Sequence, residues 1–235
     1  MKADHRATLL RHQIFSPGLF SVLVRAPGLA RAIRPGQFAM VEIPDRSRPY
    51  LRRAYSVADA DETEGVVEFL VKAIGPGTGA LAELPEGSPI RLLGPLGNAF
   101  TSQDLPRGTR VAIVAGGIGA APFPLLLSAL RPAGIVSDLY FGGRNAKELS
   151  LRARFDGLVP GETILSSDDG SLGEKGFVTE TFSRRLSAGA RYARLYACGP
   201  MPMLAALAKI VGEARLSAEF STEAEMGCGF GACLG

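Results

Sequence analysis

The 235-residue chain is long enough for one large domain or for two domains of ordinary size. Hydrophobic residues make up 46% of it and charged residues 21%, which is typical of a globular protein with substantial cores. The 26 basic and 23 acidic residues leave a net charge of only +3, and the sequence has no dense basic stripe, so we do not expect a nucleic-acid partner.

The sequence also gives no sign of a membrane segment or of secretion. No apolar run approaches the ~20 residues that span a bilayer, and MKADHRATLL lacks the apolar part of a signal peptide. Three cysteines, two of them in one C-x4-C loop, do not form a secreted disulfide framework, which favours a reducing cytoplasm. The only histidines, His5 and His12, argue against a histidine-based metal site or a Ser-His-Asp hydrolase.

Residues 1–104 are predicted to form short β-strands separated by turns. Turns such as Pro17-Gly18 and Pro27-Gly28 interrupt runs of Val, Ile, Leu and Phe, a pattern that favours a small barrel or a sandwich. The predicted strands are His12–Val24, Gly36–Ile43, Arg52–Ala58, Val66–Ala73 and Ser88–Leu93.

Residues 105–214 show a different pattern, in which apolar strands alternate with helices. Such alternation predicts a parallel sheet with helices on its faces. The predicted strands are Arg110–Ala115, Ile135–Phe141, Glu162–Ser166 and Arg194–Ala197, and the predicted helices are Ala120–Leu130 and Pro202–Ala214. Residues 215–235 are predicted to be a separate C-terminal arm.

The first chemical motif, Arg53-Ala54-Tyr55-Ser56, lies on a predicted strand. The ring of Tyr55 can stack on a flat heterocycle, the hydroxyl of Ser56 can bind a ring nitrogen, and the guanidinium of Arg53 can bind a phosphate. A half-buried strand with an exposed arginine has the same pattern, so the motif is weak when taken alone.

A second motif, Gly75-Pro76-Gly77-Thr78-Gly79, precedes a short helical turn predicted over Ala80–Leu84. Glycines allow close backbone approach, and a helix N-terminus offers N–H groups to an anion. A plain Gly-Pro turn is the simpler alternative. The order of a ring-stacking motif followed by a phosphate-sized loop favours a flavin nucleotide.

Two further motifs end strands of the predicted parallel sheet. Gly116-Gly117-Ile118-Gly119 is followed by Pro122 where a strand passes into a helix, which is where such sheets bind a pyrophosphate. Pro122 replaces the last glycine of the standard fingerprint, and the next strand ends in Gly142-Gly143-Arg144 without a clear acidic residue, so a standard dinucleotide fold is disfavoured. Cys198-Gly199-Pro200-Met201 ends another strand, where a buried structural cysteine is the alternative. Asp168-Asp169-Gly170 is interpreted as a charged turn.

The last motif is Cys228-Gly-Phe-Gly-Ala-Cys233. Its spacing is that of the first two cysteines in the plant-type iron–sulfur pattern C-x4-C-x2-C, whose third cysteine would fall at position 236. We therefore expect an iron–sulfur loop that is cut short at residue 235. An apolar Gly/Ala/Cys tail is one alternative, and a zinc loop is another, although two thiols without a nearby histidine are an incomplete zinc ligand set.

In this order and over nearly the whole chain, the motifs resemble those of the ferredoxin–NADP reductase superfamily. The tail from Ser221 to Cys233, together with Ser167–Gly173, narrows the resemblance to the electron-transfer subunits of dihydroorotate dehydrogenase B. The resemblance implies an antiparallel FAD-binding β-barrel, a parallel-sheet nicotinamide-binding domain and an arm that carries a [2Fe–2S] cluster.

The same resemblance implies the site residues. Those expected at FAD are Arg53, Ala54, Tyr55, Ser56, Leu70, Val71, Lys72, Gly77 and Thr78. Those expected at NAD(H) are Gly116, Gly117, Gly119, Pro122, Arg144, Cys198, Gly199, Pro200 and Met201. Cys228 and Cys233 are expected to be two of four cluster ligands, and this sequence lacks the other two.

The resemblance finally implies an activity. In the family, electrons pass between NAD(H), FAD, the cluster and the FMN of a separate catalytic subunit that acts on dihydroorotate in pyrimidine biosynthesis, within a cytoplasmic heterotetramer. Ser56 would act at the flavin and Cys198 at the nicotinamide. Arg144 would favour a 2′-phosphate, whereas the resemblance points to NADH. Alternatives are a related flavin subunit of a transhydrogenase or a sulfide dehydrogenase, and a non-catalytic nucleotide-sensing module.

Overall fold

The computed structural model describes residues 2–43, 51–224 and 226–232. The chain forms two compact units: residues 1–99 with 223–235 make up the first, and residues 100–222 make up the second. The predicted division into residues 1–104, 105–214 and 215–235 stays a prediction. In the described ranges, no helix is long and apolar enough to cross a membrane.

The first unit contains a closed barrel of six strands, in which every neighbouring pair is antiparallel. The strand order around the barrel is β1-β2-β5-β4-β3-β6. The elements are β1 (Ala3–Ser16), β2 (Leu19–Arg25), α1 (Pro27–Ala32), β3 (Phe38–Glu42), β4 (Arg53–Asp61), β5 (Val66–Lys72), α2 (Pro76–Glu83) and β6 (Pro89–Leu96). The predicted antiparallel barrel is thus confirmed.

β-Branched and aromatic side chains form the core of the barrel, because such residues pack well on a pleated surface. Val22 and Val24 of β2 and Val67 and Phe69 of β5 are each 1% exposed or less. β1 is longer than predicted, since its first half alternates exposed and buried residues and carries several charges instead of a continuous apolar run.

The second unit contains a six-stranded sheet in the order β10-β9-β8-β7-β11-β12, with all neighbouring strands parallel. The elements are β7 (Arg110–Gly116), a 3₁₀ helix (Gly117–Ala120), α3 (Phe123–Leu130), β8 (Val136–Gly143), a second 3₁₀ helix (Glu148–Phe155), β9 (Thr163–Ser167), β10 (Glu174–Lys175), α4 (Val178–Ser187), β11 (Arg194–Cys198), α5 (Met201–Ala214) and β12 (Ser217–Ser221). The predicted parallel sheet is thus confirmed.

One face of this sheet carries a continuous apolar core. Alternate residues of β7 and β11 face α4 and α5, because successive side chains of a strand point to opposite sides. The fully buried Phe182 of α4 and Leu207 of α5 belong to this core. β7 is buried from its second residue onwards, as expected for a central parallel strand.

Candidate functional site

β4 presents the Arg-x-Tyr-Ser motif beside β3. Cα partners across the two strands include Ser56 with Phe38 and Arg53 with Val41. Arg53 is partly buried, and its Nη1 donates a hydrogen bond to the carbonyl oxygen of Leu51 at 2.6 Å. The motif is therefore held on a regular strand, with its first side chain turned back along its own backbone.

Within this motif, the hydroxyl of Tyr55 is buried, and no described residue supplies it with a hydrogen-bond partner. The ring meets Phe69 edge-on at 6.3 Å between centroids. Burial raises the pKa of the Tyr55 phenol to about 12, against the opposite effect of the Arg53 cation. Tyr55 is thus a protonated donor that requires an acceptor from outside this part of the chain.

Leu70, Val71 and Lys72 end the strand next to this motif. The register of β5 against β4 stops at Phe69, whereas its register against β2 continues to Lys72. Leu70 and Val71 are buried. Because both side chains are buried, one on each face of the strand, these two residues can contact a ligand mainly through their backbone on the β4 side.

Gly75 to Thr78 form the start of α2, which begins at Pro76, earlier than the helical turn predicted over Ala80–Leu84. Pro at the first position is favoured because its missing N–H would have no intrahelical partner. The hydroxyl of Thr78 accepts hydrogen bonds from the backbone N–H groups of Ile74 and Gly75 at 2.9 and 3.1 Å and donates to the carbonyl of Gly75 at 3.0 Å. Thr78 therefore fixes the loop that leads into the helix.

In the second unit, the strand order reverses between β7 and β11. β7 is followed along the chain by β8 on one side, while its other neighbour β11 comes much later. Ligands of open parallel sheets bind at the carboxyl ends of strands at such a switch point. Gly116 and Cys198 end these two strands, so the sequence motifs at 116–122 and 198–201 lie at the switch point.

The loops after β7 and β11 are in close contact. A Cβ atom on Gly119 would lie 2.5 Å from the carbonyl oxygen of Cys198 and 2.7 Å from Cα of Gly199. A Cβ on Gly116 would lie 2.6 Å from Sδ of Met203, and a Cβ on Gly199 would lie 2.5 Å from Cε of the same residue. Glycine is thus required at position 119, where the close atoms belong to the backbone. At Gly116 and Gly199 the closest atoms belong to the flexible end of Met203, which the sequence did not single out and which fills the space beside both.

Gly117 differs from the other glycines of this loop. Its φ is +54°, a left-handed conformation that favours glycine, and the nearest atom to its absent Cβ is Oε2 of Glu148, 4.0 Å away. The space beside Gly117 is therefore open, so a ligand backbone or phosphate can come close to it.

The remaining residues predicted at the nicotinamide site surround this edge of the sheet. Pro122 is buried at the start of α3, Pro200 precedes α5, and Met201 begins α5 with 60% of its surface exposed. Cys198 is only 2% exposed, so its thiol offers little surface to a ligand.

Arg144 follows the end of β8, and its guanidinium binds Glu148. Nε and Nη2 of Arg144 donate to Oε1 of Glu148 at 2.9 and 2.5 Å, and the backbone N–H of Arg144 donates to Oε2 at 3.0 Å. Glu148 was missed at the sequence level, because it lies four residues after Arg144 instead of at the strand end.

The C-terminal loop belongs to the first unit. Gly229 has φ +76°, and a Cβ there would lie 2.6 Å from Cγ of Met40, so the loop packs on the barrel. Cys228 is partly buried, and Cys233 lies outside the described residues. Within the described ranges, no group of three His, Cys, Asp or Glu residues could hold a metal ion. The described residues do not make up a ligand set for a [2Fe–2S] cluster.

Comparison with known proteins agrees with both units. An oxidoreductase FAD-binding domain matches residues 16–100, and an oxidoreductase NAD-binding domain matches residues 113–209. The dihydroorotate dehydrogenase B (NAD(+)) electron transfer subunit of Desulforamulus reducens is 36% identical over 97% of this chain and 86% of its own length. The subunit of the same description from a Geobacillus strain is 32% identical over 100% and 88%.

The chain belongs to the family of dihydroorotate dehydrogenase B electron transfer subunits. It is an oxidoreductase subunit with an FAD-binding and an NAD-binding domain. Among solved structures, one that describes flavin-based electron bifurcation by an NADH-dependent reduced ferredoxin-NADP oxidoreductase aligns with a TM-score of 0.84 and 26% identity, over 96% of this chain and 79% of that one. A ferredoxin NADP+ reductase from Neisseria gonorrhoeae, at 18% identity, TM-score 0.76 and coverage of 93% and 99%, shares the fold.

Both nucleotides fit the residues present. The partnerless hydroxyl of Tyr55 and the loop at Gly75 suit a flavin nucleotide, and the open left-handed Gly117 at the switch point suits a pyrophosphate.

Replacing Gly119 with alanine tests the contact between the two loops. We expect Gly119→Ala to lower the free energy of unfolding by about 1–3 kcal/mol or more, because its Cβ would overlap the Cys198 carbonyl. Urea unfolding followed by circular dichroism measures the change.

The matched control is Gly212→Ala in α5 of the same unit. No atom lies within 4 Å of a Cβ at this helical position, so we expect a gain of about 0.5–1 kcal/mol. Equal stabilities of the two variants would contradict the proposed packing.

Replacing Tyr55 with phenylalanine tests the partnerless hydroxyl. We expect Tyr55→Phe to leave the flavin-free protein as stable or stabilise it by about 1 kcal/mol, because it removes a buried donor without an acceptor. It should also weaken FAD binding by about tenfold, which is the value of one ordinary hydrogen bond.

Tyr192→Phe is the contrasting variant, since the hydroxyl of Tyr192 donates to Oδ2 of Asp138 at 2.9 Å. It should destabilise the protein and leave FAD affinity unchanged. Thermal melts with and without FAD distinguish the two, and a destabilised flavin-free Tyr55→Phe would count against the interpretation.

Proposed function

We propose that the chain passes electrons between NAD(H), FAD bound to its barrel and the FMN of a dihydroorotate dehydrogenase catalytic subunit, in pyrimidine biosynthesis. The observation that supports it best is that one chain of this family carries two features together. These are the buried Tyr55 hydroxyl on β4, which has no described hydrogen-bond partner, and the open loop at Gly117 at the switch point. A nucleotide-sensing module would need the second of these sites and not the first.

The barrel residues are proposed to hold and orient the flavin. When bound, FAD exchanges a hydride with the nicotinamide and can release electrons singly. Tyr55 donates its hydroxyl and packs its ring at the flavin, Ser56 hydrogen-bonds the ring system near its reactive nitrogen, and Arg53 binds phosphate. Ala54, Leu70, Val71 and Lys72 line the strand edges, and Gly77 and Thr78 present the start of α2 to the pyrophosphate.

The switch-point residues are proposed to bind the dinucleotide. Gly117 gives close backbone access, and Gly116, Gly119 and Gly199 keep the two loops together so that this access is maintained. The loops end at Pro122, which precedes α3, and at Pro200 and Met201, where α5 begins. Cys198 is proposed to lie next to the nicotinamide. Because Cys198 is nearly buried, we propose that it acts chiefly through its backbone.

The C-terminal loop is proposed to contribute Cys228 and Cys233 to a [2Fe–2S] site, which accords with the C-x4-C spacing. Iron and acid-labile sulfide analysis of the anaerobically purified protein tests this separately from the flavin chemistry. The proposal further includes a cytoplasmic heterotetramer with the catalytic subunit. The relatives' description as electron transfer subunits supports a partner subunit, and the cysteine usage supports a reducing compartment.

A second candidate is the flavin subunit of a bifurcating transhydrogenase. The alignment with the NADH-dependent reduced ferredoxin-NADP oxidoreductase structure, at 26% identity and a TM-score of 0.84, favours it specifically. Affinity purification of the tagged chain from its own cells separates the two: a catalytic subunit that contains FMN supports the first, and a large second flavoprotein supports the second.

Reconstitution tests the proposed function. The chain, loaded with FAD, is mixed with the FMN-containing catalytic subunit, and dihydroorotate-dependent reduction of NAD+ is followed. The proposal requires a rate that depends on both subunits and on FAD. A catalytic subunit that reduces NAD+ equally well alone would contradict it.

Replacing Ser56 with alanine tests the proposed role at the flavin. We expect Ser56→Ala to slow reduction of bound FAD by NADH by about tenfold, since one hydrogen bond to the reacting ring is lost and each ~1.4 kcal/mol is tenfold in rate. Stopped-flow absorption measures the rate, and flavin content measures retention, which should not change.

Ser16→Ala is the control, because Ser16 ends β1 on a strand that carries none of the proposed flavin contacts. An unchanged reduction rate in Ser56→Ala would remove Ser56 from the mechanism.

A further inference from the structure

Arg144 follows the end of β8, where a dinucleotide bound at this edge of the sheet would carry a 2′-phosphate. Gly116 of β7 is in register with Gly142 of β8, so the two strands end side by side. In open parallel sheets, the pyrophosphate lies at the end of the first strand, and the adenosine ribose lies near the end of the next one. An arginine there accommodates a 2′-phosphate, whereas a carboxylate accepts the 2′-hydroxyl.

The guanidinium of Arg144 is already bound by the carboxylate of Glu148. Its carboxylate accepts three hydrogen bonds from Arg144, two from the guanidinium and one from the backbone, at 2.5–3.0 Å. Only 12% of the Glu148 side chain is exposed, against 71% for Arg144. The ion pair therefore rests on a nearly buried carboxylate, and the guanidinium is the more exposed partner.

The carboxylate is held in place by local structure. The backbone N–H of Glu148 is bound by Oδ1 and the carbonyl of Asn145 at 3.2 and 3.1 Å, at the start of the second 3₁₀ helix. A Cβ on Gly143 would lie 3.2 Å from Cβ of Glu148, so the side chain packs directly on the end of β8. Oε2 also lies 4.0 Å from the Cβ position of Gly117, beside the open loop.

Two further carboxylates border the same strand end. The N–H groups of Asp168 and Asp169 donate to the carbonyls of Gly143 and Arg144 at 3.0 and 3.3 Å. Burial, followed by the charges of Glu148 and Asp169, raises the pKa of Asp168, while Arg144 acts in the opposite direction. The charges of Glu148 and Asp169 thus both act on Asp168 at this strand end, against the Arg144 guanidinium.

We propose that Glu148 is the specificity-determining residue that selects NAD(H) over NADP(H). The proposal rests on the proposed binding of a nicotinamide dinucleotide at this edge. Because the carboxylate of Glu148 binds the guanidinium of Arg144, Arg144 is not available to bind a phosphate. The same carboxylate places a negative charge where a 2′-phosphate would enter. A dianionic phosphate is excluded, and a ribose 2′-hydroxyl finds an acceptor.

Glu148→Gln is the direct test, because it removes the charge and keeps the size. The kcat/KM for reduction of bound FAD is measured with NADH and NADPH. We expect the NADH-to-NADPH preference to fall by about tenfold to a hundredfold, the range of one charged hydrogen-bonding group. The change should lie in KM, with kcat for NADH nearly unchanged, since Glu148 binds no reacting atom.

Two further variants show whether the change in NADH-to-NADPH preference comes from Arg144 and Glu148. In Arg144→Ala/Glu148→Gln the gain with NADPH should disappear, because the released guanidinium is its source. Glu213→Gln removes an exposed carboxylate from the last turn of α5 and should keep the wild-type preference.

Calorimetric binding of adenosine 2′,5′-bisphosphate and of adenosine 5′-monophosphate separates this inference from the proposed function. Glu148→Gln should bind the bisphosphate at least tenfold more tightly than the wild type does. An unchanged NADH-to-NADPH preference, or unchanged bisphosphate binding, overturns the role of Glu148. Wild-type FAD that NADH fails to reduce overturns the proposed function, and the binding experiment then decides the inference by itself.

Discussion

The second unit depends on the contact between the loops that follow β7 and β11. Three glycines there, Gly116, Gly119 and Gly199, lie so near to neighbouring atoms that a single methyl group would overlap them. At Gly119 these atoms are backbone, so a methyl group would require the chain itself to move, whereas at Gly116 and Gly199 the side chain of Met203 would have to move. The contact fixes the ends of two parallel strands at the one point where the strand order reverses, and it leaves Gly117 open beside them. The same packing that stabilises the sheet therefore shapes the place where a nucleotide is proposed to bind.

The barrel also leaves a place for a nucleotide, but through its backbone pairing instead of through the packing of loops. A closed antiparallel barrel satisfies nearly all of its backbone groups internally, so its backbone can bind a ligand only where pairing stops. Such places occur at the end of β5, where the register with β4 ends at Phe69, and at the loop into α2. Tyr55, on the neighbouring strand β4, buries a hydroxyl without a described partner. We expect that hydroxyl to lower the stability of the flavin-free barrel, and we propose that a bound flavin supplies its acceptor.

Much of the fold could be predicted from the sequence, because apolar patterning and glycine motifs are local signals. The strands at Arg110–Gly116 and Arg194–Cys198 were predicted to within a residue or two. α4 was missed because it begins after Phe177 with no side-chain cap and no proline, although Gly189, with a left-handed φ of +103°, follows its C-terminal cap. α1 was missed because Pro27-Gly28 suggests a turn, although Pro27 begins a six-residue helix. Glu148 could not be found because an ion pair between residues four apart does not by itself indicate a nucleotide site. Met203 could not be found because its contact with Gly116 exists only once β7 and β11 lie side by side.

The central claim is that this chain transfers electrons from NADH to a flavin that it binds itself. An anaerobic titration of the FAD-loaded chain with NADH, followed by the visible absorption of the flavin, tests it most directly. The account predicts that the oxidised flavin bands disappear with about one NADH per bound FAD and return when an oxidant is added. Bands that persist with excess NADH, or a purified chain that never retains FAD, would contradict it.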